Sequence, residues 1–222
     1  MRRVAQKKKA PTWYRKFHVS DYVTLMHLPF SSVVLGFVVI GAMMAKTVYL
    51  GRLILALSGV FLAHQAGHYL DETKGHHWST KIPDKSLYVF GFSFLSIAGF
   101  IGIYLALAVS LWILLFIPPL VIIPMAYNLE LWGEKFHSPI WFGIGGGALP
   151  YLGSYFLQSL TITTFSVLMA IAIGIQATYI IIFYESAKVE RTRALAWNAL
   201  KGVVIIWDLV ALAMLAMRYI SW

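Results

Sequence analysis

A short stretch in the first third of the chain has residue types and spacing suited to metal chemistry. His64, His68 and Asp71 stand at i, i+4 and i+7, with Glu72 directly after. On an α-helix the first three share one face. Much later, Glu185 and Glu190 lie close to Lys188 and Arg191. Carboxylates offered by two helices to one compartment can hold a divalent ion between them. Mg²⁺ suits such a pair, because it takes one or two carboxylates and completes its shell with water and substrate phosphates. Asp71, Glu72, Glu185 and Glu190 are therefore the candidate metal ligands. Lys81, Lys135, Lys188 and Arg191 are the candidate partners for the remaining phosphate charge.

The elements that must position these groups are membrane helices. The chain has 222 residues, of which 59% are hydrophobic and 12% charged, about half the charged share of an ordinary soluble domain. Seven apolar stretches, roughly 22–45, 48–70, 88–107, 109–127, 138–157, 162–184 and 199–217, each approach the ~20 residues needed to cross a bilayer. The expected architecture is an all-α polytopic bundle of about seven transmembrane helices: a basic cytoplasmic arm over 1–21, then a single transmembrane domain over 22–222. No cysteine is present, which excludes disulfides, thiolate metal sites and a cysteine nucleophile.

The net charge of +9 does not point to nucleic acid, because the charge is distributed by topology. With the amino terminus in the cytoplasm, all but three of the 18 Lys and Arg residues lie inside, the exceptions being Lys46, Arg52 and Arg218. That is the bias of the positive-inside rule. The carboxyl terminus is then expected on the opposite side. The basic arm sets this topology, and anionic membrane lipid is a secondary partner for it. Pro118, Pro119 and Pro124 favour a kink in the fourth span. The run Gly143, Gly145, Gly146 and Gly147 reads as close helix packing.

On these residues the chain resembles the UbiA superfamily of intramembrane prenyltransferases, over about His27 to Glu190. His27-Leu28-Pro29-Phe30-Ser31-Ser32 is similar to the opening of the family's first helix. The second span runs into the segment where the family carries its first acidic motif, N-D-x-x-D-x-x-x-D. Aligned on Asp71, Gly67 stands for the Asn, His68 for the first Asp and Gly75 for the last. Ala126-Tyr127-Asn128 resembles the Tyr-Ser signature and precedes a short charged loop and a glycine-rich helix. Glu185 and Glu190 occupy the place of the second acidic motif.

The resemblance implies a polyprenyl diphosphate donor, Mg²⁺ and a lipophilic acceptor, with no protein partner specified. It implies that Asp71 and Glu72, with Glu185 or Glu190, hold the metal, and that Lys and Arg groups stabilise the leaving diphosphate. It gives His68 the role of a further ligand or of the base for the acceptor. Tyr127, with Tyr69 and Trp132 as alternatives, would face the developing allylic cation. Asp71, His68 and Tyr127 are thus the expected catalytic residues.

Other readings start from the same residues. His64-x-x-x-His68 with His76-His77 evokes membrane di-iron oxygenases. A bundle with an altered first motif can also bind an isoprenoid or a partner without turnover. Asp208, in the middle of the seventh span, is by default a functional-site candidate. A transporter would need more polar residues at depth than Asp208 and Gln176.

Overall fold

The computed structural model describes residues 21–75, 80, 82–132, 135–189 and 191–220. The fold is all-helical, at 85% helix with no strand among the described residues. The elements are α1 (Asp21–Leu25), α2 (Leu28–Met43), α3 (Leu50–Gly75), α4 (Asp84–Ala108), a 3₁₀ turn (Leu111–Leu115), α5 (Ile117–Asn128), α6 (Pro139–Phe142), a π-helical segment (Gly143–Ala148), α7 (Leu149–Ser159), α8 (Thr164–Lys188) and α9 (Arg193–Ile220). Five stretches of helix are long and apolar enough to cross a membrane: Leu50–Lys74, Asp84–Ala108, Leu111–Asn128, Thr164–Ala187 and Arg193–Tyr219. Several such helices are what a multi-pass integral membrane protein contains.

The expected first and fifth spans are helical but are not single helices of that length. In the first, His27 adopts a left-handed conformation (φ 44°) and separates α1 from α2. Pro29 then sits in the first turn of α2, where its missing N–H breaks no helical bond. In the fifth, the glycine run winds as a π-helix between α6 and α7. The remaining boundaries follow local chemistry. Thr163 and Ser166 form a reciprocal capping box at the start of α8, satisfying two backbone donors that the helix itself leaves open.

α2 is buried on nearly all sides, from Phe30 and Val33 to Ala42, as expected of a helix apolar around its whole circumference. It packs against α3, α7 and α9. Lipid tails are as apolar as these side chains, so close contact between small residues holds such helices together. A methyl group on Gly41 would collide with the backbone of Tyr151 on α7, and one on Gly143 would collide with Thr178 and the Gly174 carbonyl on α8. α4 and α9 lie outside and present Phe100, Leu107, Leu209 and Leu212 outward.

The two ends of the bundle differ. At one end Arg218 donates to the Lys46 carbonyl, Arg52 Nη1 donates to the Leu157 carbonyl at 3.1 Å, and the Arg52 guanidinium lies 4.1 Å over the Tyr49 ring. The carboxyl end of α3 and the ends of α5 and α8 carry the polar residues of the opposite end.

Candidate functional site

A cavity of about 250 Å³ runs between α2, α3, α4, α5, the α6–α7 segment and α8. On α3 its wall is a continuous stripe, Leu55, Gly59, Ala63, Gly67 and Asp71, the spacing of one helix face. Most of its polar residues gather at one end: His27, His64, His68, Asp71, Tyr127, Asn128, His137, Tyr184 and Glu185; Ser154, lower down, donates its hydroxyl to the Val38 carbonyl at 2.7 Å. At the other end Leu105, Ile113 and Leu157 line it, and these three belong to a packed cluster with Phe156 and Phe116. The cavity is therefore an apolar shaft with a polar mouth.

The wall of the mouth holds three imidazoles. His68 Nε2 lies 3.1 Å from His64 Nε2, the distance of an N–H···N hydrogen bond between two neutral rings of opposite tautomer. His27 stacks on His68 with ring centroids 4.8 Å apart. The left-handed turn that delivers His27 is pinned from α3: Gln65 Nε2 donates to the Met26 carbonyl at 3.2 Å and to Ser31 Oγ at 2.9 Å, and Ser31 Oγ donates to the same carbonyl at 2.8 Å.

The opposite wall is built from α5 and the connection after it. Tyr127 and His137 stack with centroids 4.5 Å apart. His137 Nδ1 donates to the Tyr127 carbonyl at 2.9 Å, which assigns the His137 proton to that nitrogen because a carbonyl only accepts. Asn128 Nδ2 donates to the Pro124 carbonyl at 2.7 Å, and the bare Cα of Gly67 leaves room for the Asn128 side chain. Asp71 and Glu185 both lie within electrostatic reach of the Tyr127 hydroxyl.

Of the expected site residues, Asp71, His68, Tyr127 and Glu185 thus share the cavity. Glu72 does not line it. Its side chain is fully buried, and its Oε1 accepts from Thr80 N–H at 3.1 Å and Thr80 Oγ1 at 2.7 Å. Lys135 and Arg191 are exposed and do not line the cavity. Lys188 closes α8, its side chain lying outside the description, and Lys81 and Glu190 lie outside the described residues, as do His76 and His77. Tyr69 is buried against Leu25, Ile82, Leu87 and Phe94, away from the cavity, and Trp132 is exposed. Asp208 accepts from Ser32 Oγ of α2 at 2.9 Å and does not reach the cavity. Gln176 is exposed on α8.

His27 and His137 are the functional candidates that sequence spacing did not single out. His27 precedes a helix start and His137 lies in a short polar connection, so neither sits in a periodic pattern. Phe142 and Trp141, also on the wall, carry no sequence signal that separates them from other membrane aromatics.

Among the described residues no group of three or more His, Asp or Glu side chains is placed to hold a metal ion. Two carboxylates, Asp71 and Glu185, do open onto one cavity. That donor set suits Mg²⁺ carried in with phosphate oxygens, and not an ion held by protein alone. No protein-family model, curated protein or solved structure matches the chain.

Proposed function

We propose that the chain is a divergent UbiA-type membrane prenyltransferase of about seven spans, its amino terminus in the cytoplasm, acting on a polyprenyl diphosphate with Mg²⁺ and a lipophilic acceptor. The observation that carries this reading is that Asp71 on α3 and Glu185 on α8 both line the polar mouth of a largely apolar shaft. A diphosphate with a long hydrocarbon tail is the amphiphile that such a site complements. Lys46, Arg52 and Arg218 at the other end of the bundle agree with the orientation read from the charge distribution.

In this reading Asp71 and Glu185 would hold the ion, which supplies neutralisation of diphosphate charge and polarisation of the leaving oxygen. The shaft holds the tail and excludes water from the allylic carbon. The Tyr127 ring, kept rigid by its stack on His137, offers its face to positive charge that develops as the C–O bond lengthens. Diphosphate departs, the acceptor forms the new bond to the allylic carbon, and the acceptor proton passes to the His64–His68 imidazole pair. Incubating purified protein with labelled geranylgeranyl diphosphate, Mg²⁺ and a lipid extract tests this. Diphosphate release together with a new labelled lipid is expected; absence of both under every acceptor removes the transferase.

A second reading is favoured by Glu72. With that carboxylate committed to Thr80, the mouth has fewer acidic groups than the first motif of the family supplies. A protein that binds isoprenoid without turnover would show copurifying isoprenoid, no diphosphate release, and no change in either on replacing Asp71.

A further inference from the structure

The cavity has a floor, and the floor implies a definite tail length. Below the imidazoles the α3 wall consists of Ala63, Val60, Gly59, Ala56 and Leu55. From Gly67, one turn inside Asp71, to Leu55 the helix rises about 18 Å at 1.5 Å per residue. The α6–α7 segment lines the same cavity from Trp141 to Leu157. The shaft ends where Leu105, Ile113 and Leu157 converge, backed by Phe116 and Phe156, whose rings stack at 5.3 Å. Stacked aromatics behind close-packed aliphatics leave a chain no continuation in that direction.

We infer that Leu105, Ile113 and Leu157 set the tail length of the bound lipid at about four isoprene units. An extended chain advances about 3.4 Å per three bonds, so about 18 Å accepts some sixteen main-chain bonds, the length of a geranylgeranyl group. The inference rests on reading the mouth as a prenyl diphosphate site, which fixes where the tail begins. Gly99 of α4 supplies an independent handle. It lines the shaft, no atom stands within 4 Å of where its side chain would begin, and it sits about 9 Å along α4 from Leu105. A leucine there would fill the lower shaft.

The test is competition by geranyl, farnesyl, geranylgeranyl and hexaprenyl S-thiolodiphosphates, with Mg²⁺, against tritiated geranylgeranyl diphosphate on the full-length protein in detergent. Geranylgeranyl is expected to bind tightest, with farnesyl weaker by roughly tenfold or more for the apolar surface it leaves unburied. Gly99→Leu shifts the optimum to geranyl or farnesyl. Leu157→Ala and Ile113→Ala each relax the penalty on hexaprenyl. Because the shifts run in opposite directions, a general folding defect cannot produce both. Saturable binding that is indifferent to length, or unmoved by all three variants, overturns the floor while leaving the site. Failure of every length to displace the label, or of the label to bind, overturns the proposed function itself.

Discussion

Thr80 donates both its backbone N–H and its hydroxyl to one oxygen of Glu72, at 3.1 and 2.7 Å. The neighbouring carboxylate, Asp71, opens onto the cavity instead. Adjacent acids on one helix therefore do different work. Glu72 ties the end of α3 to Thr80, and Asp71 lines the cavity.

The two acids should separate cleanly on mutation. Glu72→Ala leaves the buried Thr80 donors without an acceptor, at a cost of about 2–3 kcal/mol for hydrogen bonds to a charged group. A lowered apparent Tm in detergent is expected. Asp71→Asn, which keeps the size of the side chain, should lower the apparent Tm less than Glu72→Ala does, while weakening Mg²⁺-dependent binding of a prenyl diphosphate. Equal losses of stability in the two variants would contradict the division of labour.

Gly67 and Asn128 make a second testable pair. A methyl group on Gly67 would lie 2.7 Å from Asn128 Nδ2, so Gly67→Ala must push aside the side chain that satisfies the Pro124 carbonyl. Overpacking of this kind costs about 1–3 kcal/mol. In an Asn128→Ala background the same substitution has nothing to displace, so its cost should fall close to zero. A Gly67→Ala penalty that persists undiminished in that background would show that the contact is not its cause.

Asp208 is assigned to holding α9 on α2. Ser32 Oγ donates to Asp208 Oδ2, and Gly36 on the next turn of α2 faces Asp208 and Ala211. Hydrogen bonds between membrane helices are worth about 0.6 kcal/mol on average and up to about 1.7. A Ser32→Ala, Asp208→Leu double-mutant cycle on apparent Tm should return a coupling in that range with prenyl diphosphate binding unchanged. A loss of ligand affinity at intact stability would instead give Asp208 a role at the cavity.

The helical face of α3 was legible because period alone aligns His64, His68 and Asp71 with the apolar residues below them. Period could not tell that Glu72, about 100° further round the helix, meets Thr80, because that partner lies beyond the helix end. Glu185 was legible from its place at the end of an apolar stretch. The same argument brought forward Lys135 and Arg191, which the fold leaves exposed, since long cations at helix ends reach water and headgroups as readily as a ligand. The first and fifth spans were legible as apolar but not as interrupted. A left-handed His27 and a π-wound glycine run depend on contacts with α3 and α8 that hydropathy does not record. The stacking of His27 on His68 is lost to sequence reading for the same reason: the residues are distant in the chain and only the packing of α2 on α3 joins them.

In the proposed prenyltransferase Asp71 and Glu185 grip one metal–diphosphate unit. Calorimetric titration of Asp71→Asn, Glu185→Gln and the double variant with geranylgeranyl S-thiolodiphosphate, in Mg²⁺ and in excess chelator, tests it directly. Each single variant should lose most of the Mg²⁺-dependent affinity, about tenfold or more, and the double variant should lose little beyond either single one, since residues that share one ion do not contribute independently. Additive losses, or affinity indifferent to both Mg²⁺ and the two substitutions, would contradict the account.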